Sequence, residues 1–493
     1  MLKLSVIASI TFYFAISLMI PQRSLSEECS PKSNSQIYQL LDEKRFSEAE
    51  NIAQRAVEQQ PDLLQAHIDL AAVYIRWGSK EVIEINNEAL GLKPGESGTV
   101  RLTPELIENG FKSKLIFEPT LELKAKKALH EIISKWPDQR QSYYCLMEVQ
   151  QKSGKHSEFI KTLALTASNF QKDADKTIDD LLSIIYYYVR EEKRLDLAAE
   201  SYEVVMKTFP TSAKLLSSYG AAQSKLGFVR KGQSYFLKAY NVDPNDPRIV
   251  LNLVEVSTLL KDFAAAEKFA GQALKLEPKN TSLYFDIAMN KIATDPKSSL
   301  PAWEHYLSAH SRNPDTESWA KAGKQIKERI GSGIESEDLF SLAQQMISAR
   351  AYKYAVPLLY YLQKKYEDEA AYSLIMAQAY DNGGYYDLAW EELLKTSDML
   401  QKNKTKFTID PIHIYFNLGR VGAALHRDRE GLQYLKMVEQ KNSSYPNLQY
   451  MLGKITYNTG DKRAAKKYFS DCLKLDNNKK YAQYCQMNLD SLF

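Results

Sequence analysis

The chain has little of what interrupts regular structure: 20 glycines and 17 prolines among 493 residues. Together they make up about 7.5% of the chain, against a usual share of roughly 12%. So few turn residues favour long helices over many short strands. Four cysteines exclude a disulfide-rich scaffold. With 64 basic against 61 acidic residues, the chain lacks the positive excess that is typical of nucleic-acid binding.

Catalytic motifs are also missing. His130 and Glu131 begin a pattern found in zinc peptidases, but Ser134 stands where the second histidine ligand is required. Residues 227–233 have the glycine spacing of a phosphate-binding loop, but Gln233 replaces the essential lysine. The sequence therefore predicts no enzyme activity, no metal and no cofactor.

Long apolar runs are absent except at residues 4–20, which follow Lys3 and end at Pro21. Small residues at Ser24 and Ser26 suit a cleavage site, so residues 1–26 are interpreted as a secretory signal peptide. The alternatives are an uncleaved membrane anchor and, more weakly supported, lipid attachment at Cys29. We expect export to a periplasm, a cell surface or the medium, and membrane contact only if residues 4–20 are retained.

What the chain does have is a repeat. Pro210, Pro244 and Pro278 lie 34 residues apart, and the same pattern precedes each. Ahead of Pro244 it consists of a small residue at Gly220 and an aromatic residue at Phe236. Partial copies occur before Pro61 and Pro137 and near the C-terminus.

Residues 213–244 read AKLLSSYGAAQSKLGFVRKGQSYFLKAYNVDP. Paired amphipathic helices that recur every 34 residues, as the proline spacing indicates, resemble the tetratricopeptide repeat (TPR) family. The resemblance implies an all-α fold, a right-handed superhelix of helix-turn-helix units, which we expect to form two arrays. It also implies a binding role rather than catalysis.

Breaks in the pattern predict the domain organisation. N-terminal TPR-like units span residues 36–93, and an insertion rich in proline and glycine spans 94–120. A main array with a polar capping helix spans 121–330. A glycine-serine joint at 331–333 precedes a C-terminal array with its own capping helix at 336–493.

In TPR proteins the first helix of each unit lines a concave groove. Aligning the units gives two rows of groove positions, the second four residues after the first. The first row is mostly apolar or aromatic, and the second row is mixed. The resemblance implies partner-binding positions at Tyr144, Tyr187, Phe285, Phe340, Leu374, Phe416 and Tyr450.

No unit carries the lysine and asparagine pair with which some TPR proteins clamp a carboxylate. The leading hypothesis is a non-enzymatic exported scaffold that binds a partner protein or extended peptide. The alternatives are a membrane-anchored envelope or secretion-assembly factor and, remotely, an enzyme with its site in residues 94–120. An alternative also stays open for the groove rows themselves, since misaligned units would present core residues as groove residues.

Cys472 and Cys485 lie at similar distances from the turn between the last two predicted helices. Facing residues on neighbouring antiparallel helices come within the Cα separation that a disulfide needs. An export signal directs the chain to an oxidising space, which permits such a bond. The sequence predicts either this disulfide or two inert thiols.

Overall fold

A computed structural model describes residues 35–85, 111–190, 194–310, 317–333, 335–402, 409–475 and 479–490. The predicted signal peptide lies outside these residues, as does most of the predicted insertion. The described chain forms two compact units, one ending at Pro210 and the other beginning at Thr211. None of the helices in the described residues is long and apolar enough to cross a membrane.

The first unit is a stack of helices in which each packs on its neighbours, as paired amphipathic helices must to bury their apolar faces. Its helices are α1 Ser35–Asp42, α2 Phe46–Gln59, α3 Leu64–Gly78, α4 Pro119–Lys135, α5 Arg140–Lys152, α6 His156–Asn169, α7 Ala174–Arg190 and α8 Leu195–Thr208.

Two strands interrupt this stack, which the all-helical prediction did not include. Strands β1 Ser79–Ile85 and β2 Phe111–Phe117 pair antiparallel, with Ser79 opposite Phe117. Phe117 then packs on Gly78, where an added Cβ atom would lie 2.2 Å from its ring. The end of the predicted insertion is thus a strand anchored beside α3.

The second unit is also a stack of helices, with sixteen among its described residues. They are α9 Ala213–Lys225, α10 Val229–Val242, α11 Pro247–Leu259, α12 Phe263–Leu276, α13 Leu283–Ile292, α14 Leu300–His310, α15 Glu317–Ser332, α16 Ser336–Ser348, α17 Tyr352–Lys365, α18 Ala370–Asn382, α19 Tyr386–Gln401, α20 Pro411–Ala424, α21 Asp428–Lys441, α22 Leu448–Asn458, α23 Lys462–Lys474 and α24 Lys479–Asp490.

Glycines in the first helix of a unit let the second helix approach closely. A Cβ atom at Gly220 would lie 3.1 Å from the ring of Phe236 and 3.0 Å from the Gly232 carbonyl oxygen. Gly453 approaches Phe469 in the same way, because a Cβ atom added at Gly453 would lie 2.6 Å from the Phe469 ring. The helix-turn-helix fold predicted from the repeat is confirmed.

Helix starts follow from local chemistry. The Asp246 carboxylate accepts a hydrogen bond from the Arg248 amide, and Pro247 occupies the first helical position of α11. Asp410 and Pro411 start α20 in the same way.

The predicted joint at residues 331–333 lies inside the second unit, at the end of α15. Helices beyond it pack against helices before it: α17 contacts both α11 and α13, and α19 contacts α10. These contacts connect residues 213–292 with residues 352–401. Both ranges therefore belong to one compact body.

Candidate functional site

Four helices of the C-terminal stretch present the two predicted groove rows at an accessible surface. The first row, Phe340, Leu374, Phe416 and Tyr450, is half-buried in every member. The second row follows four residues later, where Gln344, Gln378 and Lys454 are exposed and Arg420 is half-buried. Residues four apart lie on the same helix face, so the two rows run side by side. We call this surface the open groove.

Each aromatic ring of the first row is held by a ring from a neighbouring element. Phe416 packs on Tyr445 with ring centroids 4.9 Å apart, and Tyr450 stacks on Tyr481 at 5.0 Å. Phe340 contacts Tyr372 edge-on at 5.7 Å. These contacts hold the rings in place, so a ligand that touched them would cost little side-chain freedom.

The second row supplies polar groups beside these rings. Arg420 forms an ion pair with Asp381 and also reaches the Asn417 side-chain oxygen at 3.5 Å. Lys454 makes no ion pair with any described residue and is exposed. The open groove therefore combines fixed aromatic rings with an exposed ammonium group at one end.

Two other predicted groove residues are buried. Tyr144 is 4% exposed, and its hydroxyl donates to the Asp180 carboxylate at 2.7 Å. Burial, with Asp180 beside it, raises the pKa of Tyr144. Phe285 is also 4% exposed. The structure places both in the packed interior, whereas the side chain of Tyr187 lies outside the described part.

Phe285 is buried because another part of the chain covers it. Its ring meets Tyr354 of α17 at 4.9 Å and Trp303 of α14 at 5.0 Å. The helices α9, α11 and α13 would line a groove continuous with the repeat pattern, but α17 packs on α11 and α13. We call this inner side of residues 213–292 the covered groove.

Charged groups lie between the covered groove and α17. Lys353 pairs with Asp286 at 3.0 Å. Burial works against the Lys353 ammonium, but the attraction of Asp286 raises its pKa well above the usual value. Burial raises the pKa of Glu255, and the nearby Lys353 and Lys225 only partly offset this.

The repeat pattern could not identify α17 as the helix that closes the covered groove, because helical periodicity does not predict which distant helices pack together. Composition carried a weak signal. Residues 336–400 hold ten acidic and five basic side chains, whereas residues 211–310 hold nine acidic and twelve basic ones. Opposite net charges favour contact between these two stretches.

At the C-terminal end, Cys472 of α23 and Cys485 of α24 form a disulfide with Cα atoms 6.5 Å apart. Both residues are fully buried beside Phe469 and Tyr450. The bond thus ties the last helix to the repeat that ends the open groove. Among the described residues, no group of three or more His, Cys, Asp or Glu could hold a metal.

Comparison with known proteins supports the repeat. Residues 446–479, which contain α22 and α23, match the tetratricopeptide repeat profile. The human protein O-mannosyl-transferase TMTC1 is 23% identical over 193 residues, which cover 39% of this chain and 21% of that protein. The chain thus spans about a fifth of this relative's length.

Solved structures with a related fold include a tetratricopeptide repeat protein from Parabacteroides merdae. It is 15% identical and covers 56% of this chain and 98% of its own, with a TM-score of 0.28. Yeast Tom70 is 10% identical and covers 93% of this chain and 94% of its own, also with a TM-score of 0.28. Likenesses at this level carry no argument about function.

Proposed function

We propose that this chain, in which residues 446–479 match the tetratricopeptide repeat, is a non-enzymatic scaffold whose open groove binds an extended segment of a partner protein. The observation that supports this is the regular pair of rows on α16, α18, α20 and α22. Each helix offers one half-buried apolar side chain and one polar side chain four residues later. Interface energy concentrates in such rigid apolar anchors, while neighbouring polar groups fix the orientation of the ligand.

An extended segment suits this surface better than a compact ligand. The rows continue across four successive repeats, so a ligand that touches all of them must be long. Amide side chains at Gln344 and Gln378 can both donate to and accept from a peptide backbone. The ammonium of Lys454 would meet an acidic group at the end near α24.

We further propose that the protein works outside the cytoplasm. Residues 1–26 have the order of a secretory signal. The disulfide between Cys472 and Cys485 is consistent with an oxidising compartment. The second candidate, a membrane-anchored assembly factor, requires that residues 4–20 are retained. Mass spectrometry of the mature N-terminus separates the two: a chain that begins after Ser26 supports export, and an intact Met1 supports the anchor.

The groove is tested by placing a photoreactive amino acid at Leu374 in the native host and identifying what is crosslinked. A second site at Leu394, an exposed residue on α19, is the control. We expect one partner to be captured from Leu374 and not from Leu394. Equal capture from both positions would argue against the groove.

The same partner then tests the anchors. Replacing Phe416 and Tyr450 together by alanine should lower the affinity by at least about thirtyfold, because even one such anchor contributes about 2 kcal/mol. The matched control replaces Met437 and Leu394, which are exposed on second helices of the same stretch. Undiminished binding by the Phe416 and Tyr450 double variant would place the binding surface elsewhere.

A further inference from the structure

The contact that closes the covered groove has a small apolar centre. Phe285 of α13 meets Tyr354 at 4.9 Å, and Phe263 of α12 meets Tyr360 at 5.1 Å. The ion pair of Lys353 with Asp286 joins the residues next to Tyr354 and Phe285. Helix α17 therefore enters the groove with a basic residue and two tyrosines on its inward side.

The rim of this contact is polar. Arg230 binds both oxygens of Glu391, at 2.8 and 2.7 Å, and its backbone amide donates to Asp387 at 3.0 Å. Lys261 pairs with Glu392. The Arg230 and Glu391 side chains are 56% and 47% exposed, so salt screens their attraction.

Backbone hydrogen bonds join the turns on the two sides. The Asp387 amide donates to the Gly227 carbonyl oxygen at 2.9 Å, and the Tyr380 hydroxyl donates to the Leu259 carbonyl oxygen at 2.6 Å. Gly227 has a φ of +93°, and a Cβ atom there would lie 2.4 Å from the Tyr386 ring. The turn is thus shaped to receive the segment 380–386.

The interior of the contact holds several charged groups beside the aromatic rings. Glu255, Asp286 and Lys353 meet there, with Lys225, Tyr354 and Tyr385 around them. Asp286 pairs directly with the Lys353 ammonium, and taking charged groups out of water opposes the closed state.

We propose that the covered groove is a second protein-binding site, which the chain keeps closed with its own residues 352–392, and that it accepts a helix carrying a cation beside aromatic rings. Helix α17 shows the chemistry of the ligand: a cation at Lys353 for Asp286, and rings at Tyr354 and Tyr360 for Phe285 and Phe263. An amphipathic helix in an apolar groove is an established mode of recognition. This site is separate from the open groove and does not depend on its function.

The probe is a fluorescent peptide with the sequence of Tyr352–Lys365, added to the full chain. The closed contact is weakened by Glu391→Lys with Glu392→Lys, which places cations opposite Arg230 and Lys261. The control is Glu48→Lys, which removes an exposed ion pair with Arg45 in the first unit. Circular dichroism checks that the helices persist.

Because the apparent affinity is proportional to the fraction of molecules that are open, the weakened variant should bind the peptide about tenfold tighter than the wild type or the control. A peptide with Lys353→Glu should bind poorly, and Phe285→Ala in the weakened variant should abolish binding. Hydrogen exchange should rise in α11 and α17 of the weakened variant but not in α22.

Faster exchange without peptide binding would show that the surface is not a helix-binding site. Unchanged exchange in α11 and α17 would show that the contact does not open, and either result overturns the proposal. If the double variant loses helicity, the single change Glu391→Gln provides the same comparison with a smaller perturbation. Peptide binding equal to that of the wild type would then overturn the proposal.

Discussion

The covered groove and the open groove are built from the same repeat, yet only one is accessible. In both, the first helix of a unit turns an apolar residue and, four positions later, a second residue towards the inner side. At Phe285 that side is closed by α17, whereas Phe416 and Tyr450 keep an exposed surface. The position of a residue in the repeat therefore determines which side of the helix pair its side chain faces. Packing between repeats that are distant along the chain determines whether a ligand can reach that side chain.

The largest expected difference between the two grooves is in stability. Phe285→Ala removes a ring enclosed by three others and should cost about 3–5 kcal/mol. Phe416→Ala removes a half-buried ring and should cost roughly 1 kcal/mol. Urea unfolding of the full chain measures both, and equal losses would contradict the distinction between the grooves.

A smaller effect is expected where helices approach within one unit. Gly220→Leu would force α9 away from Phe236 and should cost about 1–3 kcal/mol. Gly271→Ala is the control, because a Cβ atom there would meet no neighbouring element within 4 Å and alanine favours helix by about 1 kcal/mol. An unchanged melting midpoint for Gly220→Leu would argue against this register.

How far the sequence predicts this arrangement depends on the range of the contacts. The contact of Gly220 with Phe236 and the two rows of the open groove lie within or between adjacent repeats, so the 34-residue period predicts them. The pairing of β1 with β2 and the closure by α17 join segments that are distant along the chain. The spacing of Phe285 was sufficient to place it on the inner side, but nothing near it in sequence indicated Tyr354.

The pH dependence of the closed contact should depend on Glu255. Its pKa is raised above the ordinary 4.5 by burial, so the charged form is penalised in the folded chain. Glu255→Gln should therefore raise the melting midpoint at pH 7. This gain should shrink as the pH falls through the folded pKa and vanish below the unfolded pKa, where the wild-type carboxyl is neutral in both states.

Melting curves of Glu255→Gln and the wild type across this pH range provide the comparison. Asp243→Asn, an exposed change outside both grooves, is the control. A gain that persists unchanged at low pH would show that Glu255 is not the titrating group.

The smallest expected effect on the assembled structure comes from cutting the chain at the joint of residues 331–333. A protease site inserted there should be cut readily, because Gly331, Ser332 and Gly333 are all exposed. The two pieces should nevertheless elute together in gel filtration, because the ion pairs and ring contacts of the covered groove still hold them. Separation at low salt would show that this contact depends on the intact chain.

Solvent access to individual rings separates the two grooves most sharply, and hydroxyl-radical footprinting of the full chain measures it. We predict strong labelling of Phe340, Phe416 and Tyr450, and protection of Phe285 and Tyr354. Protection should persist at low salt in the wild type. Labelling of Phe285 as strong as that of Phe416 would contradict the conclusion that the chain covers one groove and leaves the other open.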